Sequence, residues 1–215
     1  MIVSRGRRYI FVHIPKTGGT ALTLALEARA KRDDIIIGDT PKARQRRKRL
    51  QDVAVKGRLW KHSTLADIDG LVTADELDDF FLFTLVRNPW DRMVSYYHWL
   101  RDQSFDHPAV HLAQALEFAG FVRHPQTQTA MRAAPSTAYM RDAQGRLRGA
   151  HYVRLEHLTE DLAPLEAHLG FPLSDMPRAN ASDRARDYRS YYDDELAELV
   201  AKLSKADIQQ FGYCY

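Results

Sequence analysis

Between Pro15 and Thr20 the chain reads Pro-Lys-Thr-Gly-Gly-Thr, a cluster whose residue types suit the binding of an anionic ester. Gly18 and Gly19 let backbone come close to a ligand. A helix opening at this point offers unpaired N–H groups and a partial positive charge. Lys16 adds a full charge, and Thr17 and Thr20 add hydroxyl donors. Together they make a cradle for a phosphate or sulfate ester. The order of residues departs from the triphosphate loop G-x-x-x-x-G-K-S/T, in which lysine follows the glycines. Here Lys16 precedes them and the four-residue spacer is missing.

A second polar cluster, Arg87-Asn88-Pro89, follows the apolar run Phe80–Val86. A triphosphate-using fold would usually place a metal-binding aspartate there. Mg-ATP is therefore disfavoured as the nucleotide, and a metal-free transfer is favoured. A transferring sulfuryl group carries less negative charge than a phosphoryl group, so one lysine and a helix N-terminus suffice for it. The rival is an ATP-dependent kinase acting on a small-molecule or sugar hydroxyl, opposed by the lysine order and the missing acidic ligands.

A hydroxyl acceptor needs a base, and nine histidines are available. His13 abuts the loop and is expected to be a structural neighbour. His107 and His111 have i, i+4 spacing, but no third ligand motif accompanies them, so no metal is expected. His62, in Trp60-Lys-His-Ser-Thr64, falls between the two phosphate-type clusters and is a further candidate. Glu156 is read as a strand cap rather than as its assistant. Gln126 and Gln128 are candidates for reaching an acceptor.

These residues need elements to hold them. Residues 9–14 read as a short buried strand, and the apolar spacing from Ala21 to Lys31 as a helix, giving a strand, turn, helix unit. A second unit pairs the strand Phe80–Val86 with a helix over Pro89–Arg101. Asn88 is its N-cap, Pro89 its first residue, and Asp91 complements its dipole. Trp90, Met93, Val94, Tyr97 and Leu100 recur at helical spacing as core. A helix over 109–121, an irregular stretch to Gly149, a strand at His151–Leu155 and helices over 158–169 and 193–203 complete the reading. Strands alternating with helices predict an α/β fold in three layers with a central parallel sheet. No linker divides the chain, so residues 1–215 are expected to form one domain.

Composition agrees. The 215 residues are 45% hydrophobic and 27% charged, as in an ordinary globular protein. The single cysteine, Cys214, cannot make an internal disulfide. No run approaches the ~20 apolar residues of a membrane span, and no secretory leader is read at the N-terminus, so the cytoplasm is the expected location. The net charge of +3 is one segment's doing: residues 42–49 hold six of the 31 positive charges, and the remainder is 25 against 28. With no aromatic-interleaved basic surface, a nucleic-acid partner is not expected. The basic segment is either a solvated helix face or a landing surface for an anionic acceptor.

His13-Ile-Pro-Lys-Thr-Gly-Gly-Thr20 resembles the 5′-phosphosulfate loop of the sulfotransferases. Leu85-Val-Arg-Asn-Pro-Trp-Asp-Arg-Met-Val-Ser-Tyr-Tyr97 is similar to their 3′-phosphate segment. The wording of the second motif is similar to that of the carbohydrate branch, which includes the heparan sulfate 2-O-sulfotransferases and many bacterial relatives. The likeness extends to Arg154-Leu-Glu-His-Leu158 and to Asp207–Tyr213. It implies a P-loop-like fold and 3′-phosphoadenosine 5′-phosphosulfate (PAPS) as sulfate donor. It also implies a hydroxyl-bearing, carbohydrate-type acceptor and, with no membrane anchor, a bacterial cytoplasmic enzyme. Carried over residue by residue, it implies Lys16 and His62 as catalytic residues. Lys16, Thr17, Gly18, Gly19, Thr20 and Ala21 would hold the 5′ end, and Arg87 and Ser95 the 3′-phosphate. The segment 177–186 resembles the family's late loop over the nucleotide, from which Ser182 and Arg184 are further contacts.

Overall fold

A computed structural model describes residues 1–173 and 184–215. Its contacts gather into two compact units. The first comprises Met1–Val86 and the described residues from Ser136 to 173, the second Arg87–Pro135 and the described C-terminal residues.

The first unit is built on five strands among the described residues: β1 (Ile2–Ser4), β2 (Tyr9–Val12), β3 (Ile35–Ile36), β4 (Phe81–Val86) and β5 (His151–Arg154). Their order is β3-β1-β2-β4-β5. The three expected strands, β2, β4 and β5, are parallel neighbours, with Tyr9 opposite Phe81 and Phe83 opposite His151. The sheet as a whole is mixed, which corrects the expectation of a purely parallel one. β1 lies antiparallel to β2, and β3 antiparallel to β1. The cause is chain length. Only the short turn Arg5–Arg7 and the left-handed Arg8 separate β1 from β2, whereas a parallel return needs a crossover of a dozen or more residues.

Strand alternation divides the apolar residues between the two faces. Tyr9, Phe11, Phe83 and Leu85 pack with Leu22 and Leu26 of α1 (Gly19–Ala28) and with Leu165 and Leu169 further along the chain. Ile10, Val12 and Leu82 pack on the other face with Leu65, Ile68, Leu77 and Met140. Continuous apolar strands buried on both faces are what a three-layer arrangement requires. Two further α-helices lie between β3 and β4: α2 (Pro41–Arg46), which carries the first part of the basic segment and runs into a 3-10 turn (Arg47–Leu50) with the rest, and α3 (Ala74–Asp79), opened by a capping box between Thr73 and Glu76.

The second unit contains α4 (Pro89–Arg101), α5 (Pro108–Ala115), α6 (Phe118–Arg123) and α7 (Pro125–Ala133). The helix expected over 109–121 is interrupted at Leu116, whose extended carbonyl accepts the Tyr97 hydroxyl at 2.9 Å. α7 occupies part of the stretch expected to be irregular. Like α5 it begins at a His-Pro pair, with the ring of His124 accepting the Gln126 N–H as His107 accepts that of Ala109. Imidazole is not among the favoured capping groups, so this start is weakly written.

Back in the first unit, the helix expected over 158–169 forms as α8 (Leu158–Asp161) and α9 (Ala163–Leu169). Pro164 sits at the start of α9, and Gly170 closes it. In the second unit α10 (Asp194–Leu203) and α11 (Lys205–Phe211) follow, α10 capped by Asp193. Trp90, Met93, Val94, Tyr97 and Leu100 of α4 are all buried, packed against Phe118, Phe121, Leu196 and Val200. No helix among the described residues is long and apolar enough to cross a membrane.

Candidate active site

β2 delivers the chain into the Pro15–Thr20 turn, and α1 begins at Gly19. Two residues of the turn are left-handed: Gly18, the residue before the helix, at φ 85°, and Lys16 at φ 65°. For a residue with a Cβ this region costs roughly 1–2 kcal/mol, and such strain concentrates at ligand sites. Thr17 is fully buried, and its hydroxyl donates to the Ile14 carbonyl at 2.9 Å. That hydrogen bond ties the turn back onto the end of the strand segment. Thr20 and Ala21 lie half-buried in the first turn of α1, as Lys16 does before it.

Gly19 faces the ring of His13: a Cβ placed on it would lie 2.3 Å from Cδ2 and 2.5 Å from Nε2. The imidazole thus sits against the helix N-terminus. Burial keeps His13 well below the usual histidine range, so the ring is neutral there. His62 stands next to it, with ring centroids 4.7 Å apart, and its Nδ1 lies 2.7 Å from the His13 carbonyl oxygen. A carbonyl only accepts, so Nδ1 carries the proton and Nε2 of the neutral ring holds a lone pair. Burial lowers the His62 pKa to about 4, partly opposed by the bond to the His13 carbonyl. The sequence placed Lys16 and His62 in separate motifs. The structure seats His62 against His13, three residues from Lys16 along the chain.

The turn carrying His62 is fixed from below. Ser63 is fully buried; its Oγ accepts the Trp60 N–H at 2.9 Å and donates toward the carbonyls of Arg58 and Trp60. Thr64 is tied by its N–H and hydroxyl to Asp67.

In the second unit Asn88 caps α4, its Oδ1 accepting from the N–H groups of Trp90 and Asp91. Its Nδ2 donates to the Cys214 carbonyl at 3.1 Å. Arg87 donates from Nε and Nη2 to Oδ2 of Asp91, at 2.9 and 2.6 Å. Arg184 donates from Nη2 to the other oxygen at 2.7 Å. Two guanidinium groups thus share one carboxylate, and Nη1 of Arg184 is buried without a hydrogen-bond partner among the described residues. Such a cluster favours an added anion. Ser95 lies one turn along α4 from Asp91 and is 6% exposed, not a surface serine. Ser182 lies outside the described residues.

Sequence reading treated Asp91 only as a helix-dipole residue and missed its place between Arg87 and Arg184. The i, i+4 spacing of Arg87 and Asp91 was the available signal. Other candidates find ordinary partners. His107 caps α5, and Gln128 donates to the Arg123 carbonyl. Glu156 is exposed in a short 3-10 turn (Leu155–His157) after β5. Arg46 and Arg49 of the basic segment both donate to the Asp34 carbonyl, at 3.0 and 3.2 Å, while Arg44, Arg47 and Lys48 are exposed.

A family model described as the sulfotransferase family matches residues 1–214. Among solved structures the chain is similar to mouse sulfotransferase SULT7A1 complexed with PAP. The match has 15% identity and a TM-score of 0.48, covering 95% of this chain and 84% of that one. No curated protein matches the chain.

Proposed function

The chain belongs to the sulfotransferase family, and on that premise we propose that it transfers a sulfuryl group from PAPS to a hydroxyl of a carbohydrate or glycan-like acceptor. The other product is 3′-phosphoadenosine 5′-phosphate (PAP). The observation that carries the reading is the family match over residues 1–214. The choice of a carbohydrate acceptor, of the bacterial branch and of a cytoplasmic enzyme rests on the wording of the Arg87–Tyr97 segment and on the sequence reading.

The residues present suit the reaction. The acceptor oxygen attacks sulfur while the bond from sulfur to the bridging phosphate oxygen breaks, and that oxygen leaves carrying negative charge. Lys16 and the N–H groups opening α1 stabilise it there, where charge develops in the transition state. Nε2 of His62 takes the acceptor's proton and later passes it to solvent. With a pKa of about 4 this imidazole is unprotonated at neutral pH. It is a weak base for a free alcohol, yet the hydroxyl grows acidic as its oxygen bonds to sulfur, so the proton moves late. The step requires no metal. Arg87, Ser95 and Arg184 hold the 3′-phosphate, with Asp91 fixing both guanidinium groups and Ser182 a further contact from the late loop. In this reading residues 1–215 act as one sulfotransferase domain.

A thermal-shift comparison of PAP with Mg-ATP tests the nucleotide, and mass spectrometry of saccharides incubated with PAPS tests the transfer. Stabilisation by PAP and a sulfated saccharide are expected. Stabilisation by Mg-ATP alone would overturn the donor assignment in favour of a kinase.

A further inference from the structure

Trp60 is 43% exposed although its turn is rigidly built. The fully buried Ser63 accepts the Trp60 N–H and donates toward two carbonyls of the same turn, so the indole is held outward by a fixed backbone. Its ring stands edge-on to His62 at 85° with centroids 5.0 Å apart. Arg58 lies over the same indole, its guanidinium 5.7 Å from the ring centre. Arg58 is exposed and makes no ion pair with a carboxylate among the described residues. A partly exposed indole beside a base, with a guanidinium over it that has no carboxylate partner among the described residues, is a recognition surface for a ring that carries both C–H faces and an anionic group.

The surroundings share this charge. The site of a Cβ on Gly38 lies 3.7 Å from Lys61 Cβ and 4.0 Å from Ala43 Cβ, which sets the Trp60–His62 turn beside α2. Lys61 is offset by Asp39 at 2.8 Å, and Arg46 and Arg49 are engaged at Asp34. Arg44, Arg47 and Lys48 remain on the exposed side of this segment.

We propose that Trp60 and Arg58 form the acceptor subsite. The indole carries a pyranose ring so that a hydroxyl reaches Nε2 of His62. Arg58 reads a carboxylate or sulfate on the same saccharide, and the exposed residues of the basic segment favour further anionic sugars. The acceptor is thus an acidic saccharide. This rests on the reading of His62 as the acceptor's base, and Trp60 sets specificity while His62 does the chemistry.

The test is calorimetric titration of three hexasaccharides: hyaluronan (carboxylate), chondroitin sulfate (sulfate) and neutral cellohexaose. Each is titrated into the parent protein, Trp60→Ala, Trp60→Phe and Arg58→Gln, with PAP titrated separately into all four. The parent should bind at least one acidic hexasaccharide about tenfold or more tightly than cellohexaose, and the tighter acid identifies the group that is read. Trp60→Ala should lose about tenfold in affinity for all the saccharides it binds, and Trp60→Phe should recover most of it. Arg58→Gln should abolish the preference for acid. PAP affinity should be the same in all four, which excludes a merely unfolded variant. Full acidic-saccharide affinity in Trp60→Ala would overturn the subsite, as would a parent that binds no hexasaccharide. Equal binding of cellohexaose by the parent would overturn the acidic assignment. Failure of the parent to bind PAP would instead overturn the sulfotransferase reading, while the saccharide titrations still decide this one.

Discussion

The Nδ1 atom of His62 is hydrogen-bonded to the main-chain carbonyl of His13 at 2.7 Å. The carbonyl belongs to the residue that leaves β2 for the phosphate-type turn, so the segment that carries the loop also sets the tautomer of the candidate base. A side-chain partner could swing or titrate away. A peptide carbonyl at a buried strand end does neither, and it leaves Nε2 as the only ring atom able to accept a proton.

His62→Ala should lower turnover by about two or more orders of magnitude, the scale of a general base, with PAP affinity unchanged. Turnover of the parent should hold across neutral pH and fall as the pH drops through about 4, where His62 becomes protonated. A normal rate in His62→Ala together with a dead His13→Ala would move the base to His13.

The same shift affects stability. His62 titrates near 4 in the folded chain against 6.5 when unfolded, so the unfolded chain takes up the proton first as pH falls. Stability should therefore decline from pH 6.5 down to about 4 and level off below, by about 3 kcal/mol for this group. His13, lowered in the same direction, adds to the decline. Urea unfolding across this window should show a shallower slope for His62→Phe. Equal slopes would mean that His62 is not buried in its neutral form.

Gly19→Ala tests how tightly His13 is packed against the start of α1. A Cβ at 2.3 Å from the His13 ring forces a buried imidazole to move, and overpacking of this kind costs about 1–3 kcal/mol. The melting temperature should drop and turnover should fall with it, since His13 also carries the carbonyl that holds His62. An unchanged melting temperature would show that the ring has room to turn aside.

Much of this was legible in the sequence because it is local. The turn at Pro15–Thr20, the Asn88-Pro89 start of α4 and its buried stripe are written in residues close together along the chain. The strands β1 and β3, of three and two residues, were not legible, because neither is long enough to show a period. The reversed sense of β1 follows from the brevity of the Arg5–Arg7 turn. His62 was read as the base because its position matches that of the catalytic histidine in the family it resembles, but its neutrality and tautomer come from burial against His13, a contact spanning 49 residues. The bond from the Thr17 hydroxyl to the Ile14 carbonyl was likewise not legible, because residue types give the loop's composition and not its internal bonding.

Lys16→Ala should lower turnover far more than PAP affinity, because its charge is most useful once the bridging oxygen becomes an anion. The substitution also leaves a non-glycine residue at φ 65°, so Lys16→Gly is the companion that relieves the backbone. Both variants should be slow and both should bind PAP. Parent-like turnover in either would remove Lys16 from the chemistry.

The cluster of Arg87, Asp91 and Arg184 offers the sharpest test of which nucleotide is read, since PAP carries a 3′-phosphate that AMP lacks. A charge-assisted contact to that group contributes about 1.5–3 kcal/mol. The parent should then prefer PAP over AMP by at least about two orders of magnitude, a gap of ~2.7 kcal/mol. In Arg87→Ala most of the preference should vanish through weaker PAP binding, with AMP affinity nearly constant. Asp91→Asn should act in the same direction more mildly, because both guanidinium groups lose the carboxylate that holds them at 2.6 and 2.7 Å. A variant that merely loosened the fold would weaken both nucleotides together, so calorimetry with PAP and AMP on all three proteins separates the cases. Equal affinity of the parent for PAP and AMP would remove the 3′-phosphate from this site and PAPS from the reaction.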